Sequence, residues 1–324
     1  RPTGPTMHRP LLAILALATT LPFVHCNASQ PDALRADARR LLDTELRGLV
    51  TASGAEVGLY YLNLGPGGDS VVVDADVRMH AASTMKVPVM MQLYLDHESG
   101  ARSLDSEVEV TRTFRSIVDG SPFDLPSESD SDTTFYGRVG ERVPVREVID
   151  RMITWSSNLA TNILIEVVDA ERVTATLREL GADSMEVLRG VEDLKAFEAG
   201  LSNTATARDL GTVMAAVSTD ERFSTESRSE MISVLERQHF RENIPAGLPP
   251  GTRVANKTGW ITAHNHDAAI VFPPDAPPYV LVVMVRGIEE QPVAAALVAE
   301  LSRQVWAFHT RWAVGEVSCC LLYT

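Results

Sequence analysis

The chain has 324 residues, 45% of them hydrophobic and 22% charged, an ordinary globular balance with room for one large domain or two modest ones. A formal net charge of −14 and a sequence pI near 5.0 argue against a nucleic-acid partner, because phosphate binding needs a basic patch. Of the three cysteines, Cys319 and Cys320 are adjacent and Cys26 lies in or beside an apolar leader, so no structural disulfide is expected.

Met7-His8-Arg9 precedes the apolar run LLAILALATTLPFV, which reads as a signal-peptide core and is short for a transmembrane helix. Residues 1–28 are therefore read as upstream sequence and signal peptide. The expected destination is the periplasm or the exterior, with no stable membrane span in the mature protein. Release after Ala28 and a lipid anchor on Cys26 both stay open.

The segment 31–50 has helical periodicity, with Leu34, Ala38, Leu41, Leu42, Leu46 and Leu49 on one stripe. VGLYYLNL (57–64) and SVVVDAD (70–76) flank the turn-like GPGG and predict a hairpin. A helix is expected from Ser83, then a polar loop over 121–134, and helices over 143–155 and 160–180, with Gly181 as C-cap. The stretch 189–203 fits no single element. Helices follow at 206–219 and 227–238, strands at 252–259, 267–274 and 279–287, and a last helix at 291–312. Short links between consecutive strands favour antiparallel pairing.

This order predicts an α+β fold, an α/β sandwich with a five-stranded antiparallel sheet flanked by N- and C-terminal helices. The sheet part comes from 31–76 and 252–312, and an all-helical part, 83–238, is inserted between its strands. Residues 31–312 then form a single catalytic domain, and the tail 313–324 is expected to be disordered.

Three short motifs carry chemistry. In ASTMKVPV, Ser83 and Lys86 lie three apart and share a helix face. A buried lysine needs a partner, and one with a depressed pKa can take the proton of a serine nucleophile. In WSSNLATN, Ser156, Ser157 and Asn158 fall at a helix junction, where such residues are also ordinary N-caps. In ANKTGW, Lys257, Thr258 and Gly259 end a predicted strand, where an exposed hairpin turn is the plain alternative.

S-x-x-K, S-D-N and K-T-G together are the known signature of class A β-lactamases and penicillin-binding proteins. With VREVIDRMITWSSNLATNILIE, NTATARDL and HDAAIVF around them, residues 31–312 resemble a class A β-lactamase-related serine hydrolase of that superfamily. The resemblance implies that Ser83 opens a β-lactam ring through an acyl-enzyme, with Lys86 as its base and Ser156 relaying a proton to the departing nitrogen. It implies that Asn158, Lys257, Thr258, Gly259 and Trp260 bind substrate. The N–H groups of Ser83 and Trp260 would form the oxyanion hole.

Two departures stand out. Ser157 occupies the usual aspartate position of the middle motif. The loop glutamate that activates water in an E-x-x-L-N pattern is missing. RGVEDLKAFEAGLSN offers Glu192, which follows Arg189 closely, and Glu198; both also fit a solvated helix face. Lys195 stands where the pattern has asparagine, and Asn203 where an aspartate usually pairs with the arginine. His264 and His266 lack a third ligand and are read as strand-turn residues near the cleft, so no metal or other cofactor is expected.

The expected partner is a small-molecule β-lactam or cell-wall-related substrate, handled by a monomer. Three activities follow: a hydrolytic β-lactamase, a D-Ala-D-Ala peptidase or esterase with slow deacylation, and a β-lactam receptor that stays acylated.

Overall fold

The structure, a computed structural model, describes residues 29–66 and 68–312 together with Gly4. The expected signal segment, Cys26 and the tail with Cys319 and Cys320 lie outside the described residues. Helix α1 (Ser29–Ser53) leads into strands β1 (Glu56–Asn63) and β2 (Ser70–Val73). A helical region follows. It contains β3 (Met79–His80), α2 (Lys86–Glu98), β4 (Glu107–Glu109), β5 (Thr113–Arg115), β6 (Pro122–Asp124) and β7 (Arg142–Pro144). It continues through α3 (Val145–Thr154), α4 (Asn158–Val168), α5 (Ala170–Glu179), α6 (Leu194–Glu198), β8 (Thr204–Ala205), α7 (Ala207–Thr219) and α8 (Thr225–Glu236). Strands β9 (Arg253–Ile261), β10 (His264–Phe272) and β11 (Tyr279–Arg286) and helix α9 (Gln291–Trp312) complete the described chain.

The main sheet has the order β2-β1-β11-β10-β9, antiparallel throughout, so both ends of the chain build it as expected. Three short strand pairs decorate the helical part: β3 with β8, β4 with β7, and β5 with β6.

Successive side chains on a strand face opposite sides, and both sides of this sheet are covered. On β11, Tyr279, Leu281, Val283 and Val285 pack toward α1 and α9, while Val280, Val282 and Met284 pack toward the helical part. The unbroken apolar run YVLVVMVR is the sequence mark of that three-layer burial. Of the α1 stripe, Leu42 and Leu46 are buried, whereas Leu41 is 64% exposed because it points about 100° away from Leu42.

Four sequence expectations are corrected. Ser83 lies in a 3-10 turn, Ala82–Met85, and Lys86 is the first residue of α2. The expected helix over 160–180 is two helices, broken at Asp169, whose φ is +68° and whose side chain caps α5 by accepting from Glu171 N. The polar loop over 121–134 contains β6 and 3-10 turns at Ser127–Ser129 and Thr133–Arg138. His266 lies on strand β10 but not on the cleft wall: it is fully buried, with its Nε2 2.9 Å from the His80 carbonyl.

One buried polar contact ties α9 to the sheet. His309 Nε2 lies 2.8 Å from the Pro277 carbonyl, so that nitrogen carries the proton and Nδ1 accepts from Tyr61 Oη at 2.7 Å. Tyr61→Phe leaves Nδ1 buried without a donor. The expected cost is about 1–3 kcal/mol, read as a lower urea midpoint with an unchanged slope.

Candidate active site

Helix α2 is buried on nearly all sides, from Lys86 through Tyr94, which is the pattern of a core helix. Lys86 is therefore fully buried, and its ammonium is met by three acceptors. Nζ lies 2.6 Å from Ser156 O, 3.0 Å from Asn158 Oδ1 and 3.2 Å from Ser156 Oγ. Burial lowers its pKa from 10.5 to about 7, against the opposing pull of the Asp130 and Glu192 carboxylates.

Ser156 and Asn158 reach the lysine from the junction of α3 and α4. Ser156 has a φ of +58°, rare for a residue with a Cβ. Such a conformation costs on the order of 1–3 kcal/mol and persists only where surrounding bonds impose it. Ser157 is an N-cap, accepting from Ala160 N at 3.2 Å, as a plain reading of the motif expects. Its neighbours nonetheless carry the contacts to Lys86.

The third motif arrives on β9, the edge strand, one side of which has no strand partner among the described residues. Lys257 Nζ lies 2.9 Å from Ser156 Oγ and 2.8 Å from Thr258 O. Burial pushes its pKa well below the lysine range, and the nearby Lys86 pushes the same way. Ser156 Oγ thus bridges two buried lysine nitrogens. Lys257 stands behind Ser156 and is absent from the cleft wall, where Thr258, Gly259 and Trp260 are found. A Cβ on Gly259 would lie 2.9 Å from Ser83 N and 3.0 Å from Thr84 N, so only glycine lets β9 approach the serine turn this closely. Trp260, by contrast, is 59% exposed at the rim.

Ser83 is half-buried and lines two adjoining cavities of about 440 and 330 Å3. The larger is walled by His80, Phe197, Trp260 and His264, the smaller by Ser129, Ser131, Ser156 and Phe240; Asn158 and Glu192 border both. The site therefore combines a half-buried hydroxyl with a lysine held near neutrality, a second hydroxyl between two lysines, and an open strand edge. That set can perform acyl transfer through serine.

Glu192 reaches this cleft from the 189–203 segment with a φ of +62°; its Oε1 is 3.5 Å from Asn158 Nδ2. Its neighbours are firmly held. Asn162 clamps both backbone groups of Val191, at 2.6 Å to N and 2.9 Å to O. A Cβ on Gly190 would lie 2.3 Å from Asn162 Oδ1, so glycine is required there too. Asp193, buried, accepts from Ser116 Oγ and from Ile117 N. Lys195 points away, bonded to Asp119 and Ser121, and Glu198 is exposed and lines neither cavity. Among the described residues no ion pair joins the two ends of the 189–203 segment: Arg189 donates to Leu201 O and Gly190 O, and Asn203 bonds the backbone of Leu188 and Arg189.

His264 borders the larger cavity, but no cluster of three or more metal-binding side chains exists among the described residues. Sequence reasoning missed Asp130, Asn162 and Asp193. Asn162 carried a faint signal, being one helical turn beyond Asn158; the other two carried none.

Comparison with known proteins fits this geometry. A β-lactamase of Bacillus licheniformis is 27% identical over 265 residues, covering 80% of each chain. The solved structure of PBP-A is 28% identical with a TM-score of 0.71, covering 82% of this chain and 94% of that one. A substituted PBP-A, solved as its acyl-enzyme complex with penicillin G, is 27% identical with a TM-score of 0.69, covering 83% and 96%. Residues 41–309 match the model of the β-lactamase enzyme family, and the chain belongs to that family.

Proposed function

We propose that this protein is a serine β-lactamase of class A type, a hydrolase that opens the β-lactam ring through an ester on Ser83. The observation that carries the reading is Ser156 Oγ bridging Lys86 and Lys257, with Asn158 completing the shell of Lys86. Neutral Lys86 takes the Ser83 proton while Oγ bonds the lactam carbonyl carbon. The N–H groups of Ser83 and Trp260 receive the developing oxyanion. Ser156 passes a proton to the lactam nitrogen as the C–N bond breaks, and is itself reprotonated from the lysine pair. Thr258 and Ser156 hydroxyls meet the substrate carboxylate, with the Lys257 nitrogen bonded to Ser156 Oγ from behind. Glu192 then takes a proton from water, the hydroxide attacks the ester carbonyl, and Ser83 leaves with a returned proton.

A second reading is favoured by one feature. The residue that Asn162 clamps is Val191, and a carboxylate enters the cleft only one position later, on a left-handed backbone. This feature, with the likeness to PBP-A, supports a slowly deacylating enzyme such as a D-Ala-D-Ala peptidase. Mixing protein with a chromogenic cephalosporin and following product and intact mass separates the two. Many turnovers per molecule support the β-lactamase. One equivalent with a persistent adduct on Ser83 supports the slow enzyme, and neither product nor adduct contradicts both.

Lys86→Ala is expected to slow acylation by roughly 10²–10⁴-fold, the usual worth of a positioned base. Glu192→Gln is expected to leave acylation intact and to prolong the adduct by about 10²-fold or more. Acylation by the unaltered protein is expected to rise through about pH 7 and level off above it, because neutral Lys86 is the active form. His80 and His266, both pushed by burial to about 4, do not supply a limb at that pH.

A further inference from the structure

The middle motif has serine at 157, yet a buried carboxylate stands against it. Asp130 comes from the irregular stretch between the 3-10 turns Ser127–Ser129 and Thr133–Arg138 and is 7% exposed. Its Oδ2 accepts from Leu159 N at 2.8 Å, from Ser157 Oγ at 3.2 Å and from Tyr136 Oη at 3.2 Å; its Oδ1 accepts from Asp132 N at 3.0 Å. Ser157 Oγ also accepts from Ala160 N, so its proton is free for Asp130. The segment is itself anchored, since Asp132 is 3.0 Å from Arg151 and Thr134 bonds both.

We propose that Asp130 is a positioning residue for acylation: it returns across space the carboxylate that the middle motif lacks in sequence. Residues 157 and 159 are both bonded to it, and they flank Asn158. Ser157 also follows Ser156, whose left-handed backbone aims its carbonyl and hydroxyl at Lys86. Fixing 157 and 159 therefore fixes the three acceptors around the ammonium. Asp130 acts second through charge: its carboxylate and that of Glu192 pull the Lys86 pKa up against burial, while Lys257 from β9 shares Ser156 Oγ with Lys86. Its negative charge favours the protonated lysine, so removing it moves the Lys86 titration toward acid.

The inference rests on acylation of Ser83 with Lys86 as base. That reading stands or falls on whether the unaltered protein forms the adduct; the present one is tested by variants measured against it. Acylation by a chromogenic cephalosporin is followed in single turnover from pH 5 to 9, with a thermal melt for each variant. Asp130→Asn is expected to acylate at least tenfold more slowly, with the alkaline-rising limb shifted below that of the unaltered protein. Asp130→Ser combined with Ser157→Asp, which moves the carboxylate back into the motif, is expected to recover most of the rate that Asp130→Ser loses. A folded Asp130→Asn variant acylating within twofold of the unaltered protein overturns the proposal. So does a slow variant whose limb does not move, with a double variant no faster than Asp130→Ser; that pair of results marks a merely structural carboxylate. If Asp130→Asn does not fold, the double variant alone decides: recovery supports the proposal, and folded but slow protein refutes it.

Discussion

The ammonium of Lys86 has no contact with bulk water, and much of the site is arranged around that fact. A charge moved from water into a protein interior costs several kcal/mol unless its hydrogen bonds are replaced. Here Ser156 O, Ser156 Oγ and Asn158 Oδ1 replace them. The compensation is incomplete, which is why the pKa falls to about 7 instead of staying near 10.5. Fuller solvation would leave the lysine permanently charged and useless as a base. Weaker pairing would leave it permanently neutral and unable to return the proton.

Holding those acceptors has its own structural cost. Ser156 is on a left-handed backbone, and Ala82 beside Ser83 and Glu192 across the cleft have φ values of +47° and +62°. Backbone strain of this kind gathers where the surroundings over-determine the chain. The surroundings are identifiable: Asp130 at the start of α4, Asn162 on Val191, and the close approach of Gly259 to the serine turn. The sheet contributes an edge. Because β9 ends the sheet, Lys257 can reach behind Ser156 while Thr258, Gly259 and Trp260 border an open cleft.

Much of this was legible in the sequence. Apolar β-rich runs and the turn residues between them predicted the five strands and their split between the chain ends, because each strand carries its own apolar run. Ser83, Lys86, Ser156, Asn158 and Lys257 were legible because each lies in a motif only three or four residues long, and the structure brings them together. The exact helix starts were not, since the 3-10 turn at Ser83 and the break at Asp169 depend on single left-handed residues. Asp130 was illegible for another reason: it bonds Ser157 across 27 residues, and SESDSD reads as loop polarity. Asp193 likewise acts on Ser116 across 77 residues. Local pattern encodes which face a residue shows, not which distant donor it will meet.

The charge state of Lys86 is therefore the quantity to measure. With ¹³C-labelled lysine, the Cε resonance of Lys86 is assigned by its loss in Lys86→Arg and followed from pH 5 to 11. A midpoint near 7 is the predicted result. A midpoint near 10.5, the ordinary lysine value, would mean that the ammonium is well solvated, and would contradict the proposal that it is the base for Ser83.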